Sequence, residues 1–375
     1  MKRIVSGCFI FMVIASALSC KQTIIGKQEV KSLPPAPDLV EVARSEKQWT
    51  GVAVSREGRI FVNFPRWSDA VPFSVAELMP DGTVRPFPDK RWNTWNLSLS
   101  PEDRFVCVQS VYIDRENFLW ILDPANPKFR GVMSNGPKLL KVDLATNRIV
   151  QKIFFDESVA PRASYLNDVR IDTKRWYAYL TDSGTGALIV VNLEDGTSRR
   201  LLGSHPSTKA ENVTIVINGR EWLLPDGTVP RVHADGIALD GNGEYLYYQA
   251  LSGKSLYRIE TKWLRDPGIS PKELEAKVEF LGKAGVADGI EFGQDGNLYL
   301  TALEESAIKR FTPDKKVKMV VQDIRLAWPD SFAVGKDGYL YVTTSQIHLG
   351  EARTEPYRIF KIKLFSASTP SHSSP

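Results

Sequence analysis

Apolar and polar residues alternate along this chain in short runs, and the runs fall into one pattern written six times. Each copy has a short apolar strand, a turn rich in Asp, Gly and Asn, and a second strand with an aromatic residue at a fixed place. The first strands centre on Val52, Val111, Val169, Ile237, Ile290 and Phe332, and the aromatics in register are Phe61, Trp120, Tyr179, Tyr247, Tyr299 and Tyr341. Period-two alternation interrupted by turn residues predicts hairpins. Hairpins repeated at this scale must bury each sheet against its neighbours, and a ring of sheets does so without long free edges. The expected fold is all-β, a six-bladed β-propeller over residues 38–365.

The six first strands are spaced by 59, 58, 68, 53 and 42 residues. A four-stranded blade needs about 40–50, so the longer intervals hold insertions, expected at Phe64 to Trp95, Asn126 to Pro137 and Gly203 to Arg231. The last carries a hairpin of its own, Val213 to Ile217 against Glu221 to Leu224, around the Asn218-Gly219 turn signal. Insertions of this kind gather on one face and carry the binding surface. Ring closure is expected from Leu39 to Ala43 joining Tyr357 to Leu364 in the last blade. Helix is expected only at Thr261 to Arg265 and Pro271 to Leu274.

The N-terminus reads as a targeting segment over residues 1–19: Lys2 and Arg3, then an apolar stretch from Ile4 to Leu18. Ala17-Leu18-Ser19-Cys20 resembles a bacterial lipobox, which makes Cys20 the expected lipidation site. Residues 20–37 then form a Pro-rich tether, residues 366–375 a disordered tail, and the protein is exported to the cell envelope as a membrane-anchored lipoprotein, with plain secretion as the alternative. Cys8 leaves with the signal, so Cys107 remains alone and no internal disulfide is available. Cys107 lies in a strand-like apolar run and is expected in the core. The net charge of +4 is spread without a basic stripe, which argues against a nucleic-acid partner; a monomer is expected.

In a propeller the innermost strands line a central channel. The residues two places before the six equivalent positions are Thr50, Gln109, Asn167, Asp235, Asp288 and Asp330, with Asp168 adjacent. Clustered carboxylates in a channel repel one another, so they must protonate, pair with a cation, or receive one. These seven residues are therefore expected to bind a ligand, and a small cationic or aromatic molecule fits them. His233, two residues before Asp235, is a candidate general base with Asp235. His348 is a lesser candidate for the same mouth.

Several segments together resemble the yellow/major royal jelly protein family: Gly58 to Trp67, Leu166 to Val169 with Tyr179 to Ser183, Ala234 to Leu239, Tyr247 to Ser252, Leu256 to Ile259 and Leu264 to Asp266. The resemblance runs from about Val40 to Leu364 and implies a six-bladed propeller whose channel binds small molecules. Insect members are associated with biogenic amine binding, dopachrome conversion and royal jelly storage. A more distant resemblance, to gluconolactonase/regucalcin-like propellers, implies a channel metal such as Ca²⁺. In that comparison Asn167 and Asp235 match two ligand positions, Gln109 replaces an Asn, Thr50 replaces a Glu, and Asp288 or Asp330 is available as a further carboxylate. Three functional readings follow: a small-molecule binder at the acidic mouth, a lactonase-like metallohydrolase or tautomerase using the same channel, or a surface module that presents its insertions to other proteins.

Overall fold

The computed structural model describes residues 36, 38–69 and 71–364. The signal segment expected over 1–19, Cys20, nearly all of the tether expected over 20–37 and the tail expected over 366–375 lie outside the described residues.

The described residues form six four-stranded antiparallel sheets and one two-stranded hairpin. Their inner strands are Val52–Val54, Ser110–Ile113, Leu166–Asp172, Ala234–Leu239, Ala287–Phe292 and Pro329–Val334, in blades one to six. In every blade the residue after the equivalent position pairs with the aromatic of the second strand: Ala53 with Phe61, Tyr112 with Trp120, Arg170 with Tyr179, Ala238 with Tyr247, Glu291 with Tyr299, Ala333 with Tyr341. The aromatics are wedges between sheets. Phe61 packs among Val111 and Ile121 of blade two, Trp120 among Val169 and Leu180 of blade three, and Tyr179 among Ile237 and Tyr248 of blade four. Tyr247, Tyr299 and Tyr341 continue the series round to blade one. An aromatic side chain buries 150–250 Å², so one ring per interface is a large share of what holds neighbouring blades together.

Blade six is built from both ends of the described chain. Val40–Ser45 pairs antiparallel with Tyr357–Lys363, which pairs with Tyr339–Thr344. The expected closure is therefore present. The two expected helices form as Thr261–Arg265 and Pro271–Glu275, the second held by a capping box between Ser270 and Glu273. The insertion hairpin is shorter than its sequence suggests, Val216–Ile217 against Arg220–Glu221, although the turn residues Asn218 and Gly219 both take positive φ as a type I′ turn requires.

One irregularity decides where the channel side chains point. The inner strands of blades three to six each hold one extra residue opposite the second strand, between Leu166 and Val169, Ala234 and Ile237, Ala287 and Ile290, and Pro329 and Phe332. A β-bulge re-aims a side chain and frees backbone groups, and here second-strand polar residues take those groups up. Asp168 N–H donates to Thr181 Oγ1 (3.2 Å), Asp288 N–H to Thr301 Oγ1 (2.9 Å) and Ser331 N–H to Thr343 Oγ1 (3.1 Å). Thr181 Oγ1 then donates to the Asp235 carbonyl of the next blade (2.6 Å), and Thr343 Oγ1 to the Thr50 carbonyl. Asn63 bridges to the Gln109 carbonyl (2.9 Å) and Gln249 to that of Ala287 (3.3 Å).

Blades four, five and six approach so closely there that the residues after Asp235 and Asp288 must lack a side chain. A Cβ on Gly236 would lie 2.3 Å from the Asp288 carbonyl oxygen, and one on Gly289 would lie 2.3 Å from that of Asp330. Gly236→Ala and Gly289→Ala should each lower stability by about 1–3 kcal/mol, the usual cost of overpacking a tight interior, as read from the denaturant midpoint. Gly58→Ala, in a turn with open space around it, should cost less, through its positive φ alone.

Candidate functional site

The strand starts of all six blades open on one face, and the three expected insertions rise around them. Together they enclose a cavity of about 700 Å³. Its floor is polar: Gln109, Asn167, Asp235, Asp288 and Asp330. Its walls are largely aromatic and aliphatic, with Arg231 as the one cation in the lining. On one side Phe129 lies against Tyr165 (centroids 4.9 Å apart) and Trp67 (5.7 Å). Facing them, Trp222 meets Trp328 edge-on at 4.7 Å, and His348 stacks on Trp328 at 5.8 Å. Trp67, Phe129 and Trp222 come one from each insertion.

The floor is a chain of hydrogen bonds. Asn167 Nδ2 donates to Asp235 Oδ1 (2.7 Å), the Asp235 and Asp288 carboxyl groups are hydrogen-bonded to each other, and Trp328 Nε1 donates to Asp288 Oδ2 (2.7 Å). Asp330 accepts from Ser331 Oγ (2.9 Å). Tyr165 ties the wall to the floor: its hydroxyl accepts from Trp67 Nε1 (2.6 Å) and donates to Gln109 Oε1 (3.0 Å). Asp235, Asp288 and Asp330 are all buried, and none has a salt-bridge partner among the described residues. Burial, and then the neighbouring carboxylates, push all three well above the usual carboxylate range.

Two of the seven expected ligand-binding residues are not part of this lining. Thr50 is buried with its Oγ1 accepting from Asn63 Nδ2 (2.9 Å), so it serves the junction of blades one and two. Asp168 faces further down the channel, accepting from Ser110 Oγ at 2.8 Å. Burial raises its pKa, against the pull of Arg170 and Ser110. His233 also lies off the cavity; its Nδ1 accepts from the Ala210 backbone N–H (3.0 Å) and anchors the third insertion. His348 is the histidine that lines the cavity. Burial pushes it down to about 4, so its ring is neutral, and its Nδ1 is buried without a hydrogen-bond partner. Cys107 is buried as expected, its thiol pushed up to about 12 by burial and so inert.

Asn167, Asp235 and Asp288, the expected oxygen ligands for Ca²⁺, do converge, yet the donor set does not fit that ion. Ca²⁺ takes six to eight oxygens. Here the Asn167 amide and the Trp328 indole already occupy carboxylate oxygens, Thr50 stands turned away, and among the described residues no group of three or more His, Cys, Asp or Glu is arranged to hold a metal.

Below the floor the channel is barred. Arg170 of blade three reaches across the axis to blade five, donating to the Ile290 carbonyl (2.9 Å) and lying 3.0 Å from Glu291 Oε2. It also donates to the Val169 carbonyl (2.8 Å), and its guanidinium covers the Tyr112 ring of blade two at 5.1 Å. Its side chain is 5% exposed. The cavity is a cup with one opening.

Together these residues make a six-bladed propeller with an acidic, aromatic-lined cup on one face. The chain belongs to the major royal jelly protein family, whose model matches residues 106–374. Among relatives it is 27% identical over 232 residues to major royal jelly protein 5 of Apis mellifera (57% of this chain, 35% of that one) and 23% identical over 312 residues to major royal jelly protein 7 (73% and 66%). A yellow-related salivary protein of Phlebotomus perniciosus is 28% identical over 232 residues, covering 56% of this chain and 55% of that protein. The chain thus spans between 35% and 66% of the length of these relatives. Among solved structures, a gluconolactonase from Xanthomonas campestris superposes with a TM-score of 0.53 at 13% identity (86% of this chain, 89% of that one). Regucalcin, a calcium-binding protein from Agrobacterium tumefaciens, gives 0.51 at 14% identity (86% and 93%). At these identities the likeness is one of fold.

The raised carboxyls have a consequence for stability. A carboxyl whose folded pKa lies above its unfolded value of 3.8 binds more protons when folded. Stability is then fullest below that value and falls as pH rises through the folded pKa. Asp235→Asn keeps an acceptor for Asn167 and gains a donor toward Asp288, so it should stabilise the fold at neutral pH, on the order of a kcal/mol. The gain should vanish at pH below about 3.8. Paired denaturation curves across that range test this.

Proposed function

We propose that this protein is an exported, lipid-anchored propeller that binds a small cationic molecule with an aromatic body in the cup. The observation that supports it most directly is the floor: three buried carboxyls without a countercharge, beneath two aromatic walls. A ligand ammonium would supply the missing charge, while its ring would lie between Phe129 and Trp328, where aromatic and cation–π contacts are strongest once desolvated. The blind end requires the ligand to enter and leave by one mouth. The hydrolase reading lacks a metal donor set, and the tautomerase reading loses the base it invoked, because His233 lies off the cup with its Nδ1 taken up by Ala210 N–H.

Binding should couple to proton release. A cation favours the ionised carboxyls, so it lowers their raised pKa values and displaces protons, and affinity rises with pH. An aromatic amine titrated by calorimetry in buffers of different ionisation enthalpy should show release. Asp235→Asn should weaken the amine about tenfold or more, the loss of one charge-assisted contact, while a neutral isostere binds both variants alike. Equal effects on both ligands would assign the floor a structural role.

The anchor is tested separately. Cys20→Ser should move the protein from the membrane to the soluble fraction, because a chain without its acyl groups has no stable hold on the bilayer. Unchanged fractionation would rule out Cys20 as the lipid site.

A further inference from the structure

The face opposite the cup has a chamber of its own. Beneath the Arg170 bar the inner-strand ends enclose about 420 Å³, lined by Tyr112, Arg115, Glu291, Gln294 and the apolar residues around them. Arg115 also borders a neighbouring recess with Arg56 and Lys336, so three cations from three consecutive blades ring this mouth. Among the described residues none of the three forms a salt bridge, and of the acidic residues in the same turns all but the exposed Glu116 are already engaged. Asp114 accepts from the Trp120 indole (2.7 Å) and two backbone N–H groups, Glu57 accepts from Asn117 Nδ2 (3.0 Å), and Asp337 accepts from the Tyr341 hydroxyl (2.8 Å). Inside the chamber, Glu291 is held by Arg170 and by the Phe292 N–H (2.9 Å). The Tyr112 hydroxyl makes no hydrogen bond among the described residues. What remains unspent is mostly donors.

We propose that this lower chamber is a second binding site, for a small anion carrying a phosphate or carboxylate group, with Arg115 as its main contact and Tyr112 donating from within. A guanidinium presents paired donors that match either anion, and Arg56 and Lys336 draw it to the mouth. The bar keeps the two sites apart, so the molecule carries a cation-seeking cup on one face and an anion-seeking chamber on the other. The anion has two possible sources, a free metabolite-sized anion or a lipid headgroup. The second is relevant because Val40 lies opposite Lys361, at the end of blade six that holds the Tyr339 turn, so the chain enters the propeller on this lower face.

Inorganic phosphate and citrate are titrated into the full chain at low ionic strength by calorimetry. In parallel, the full chain carrying Cys20→Ser is floated with phosphatidylcholine vesicles with and without phosphatidylglycerol. Saturable binding of either soluble anion, weakened about tenfold or more by Arg115→Gln and severalfold by Tyr112→Phe, supports the site with a free anion as its source. Flotation that needs phosphatidylglycerol and is lost in Arg115→Gln supports it with a headgroup as its source. Amine binding in the cup should be unchanged by Arg115→Gln, and anion binding unchanged by Asp235→Asn, so failure of one site is distinguishable from failure of the other. Binding absent in both arms, or equal in Arg115→Gln with its melting temperature unaltered, would overturn the proposal.

Discussion

The arrangement of this channel depends on one extra residue in each of four inner strands. A regular strand would send alternate side chains to opposite sides of the blade and keep every backbone group in the ladder. The bulge turns Asn167, Asp235, Asp288 and Asp330 toward a common floor and leaves backbone groups needing partners. Thr181, Thr301 and Thr343 satisfy those groups, and two of them reach across to the next blade. The glycines that follow Asp235 and Asp288 let the neighbouring backbone come within reach. Floor, stitching and close approach are thus one device.

Charge is handled in two ways within the same molecule. Asp123 is wholly buried and fully provided for, by Lys138 at 3.1 Å and by the backbone N–H groups of Val106, Cys107 and Ala125. Arg170 is likewise neutralised by Glu291 and Asp168 around it. The floor carboxyls receive an amide, an indole and one another, but no cation. Burying a carboxyl without a countercharge is costly, and the pairing of Asp123 shows that this sequence can supply one where stability is the concern. The unpaired floor is therefore a specific tension at the base of an aromatic cup.

The blades, their order and their wedge aromatics were legible because period-two patterning and turn residues recur in fixed register, and register is a property of neighbours in sequence. The closing strand was legible for the same reason. Individual roles within the ring were less so. Nothing in the sequence around Thr50 says that Asn63 takes up its hydroxyl, and nothing around His233 says that Ala210 N–H takes up its Nδ1, because those partners arrive through the folding of other segments. Of the walls, the sequence pointed to the three insertions and to His348, and all of these line the cup; Tyr165 and Trp328 lie outside the insertions and carried no such signal. The Arg170 bar was invisible, since its meaning depends on blades three and five, separated by blade four in the ring, meeting at the channel.

Blade six joins Val40–Ser45 to Tyr357–Lys363. During synthesis the first described strand emerges with no mate, and the ring stays open until the other five blades and Tyr357–Lys363 have been made. Until then the sheet edges that will meet in blade six remain available to any other strand nearby, and the long-range pairing that seals them is intrinsically slow to find. A chain built this way is held back from its finished shape until Tyr357–Lys363 has been made. A protein that must be threaded unfolded through a narrow passage before it matures would gain from that delay.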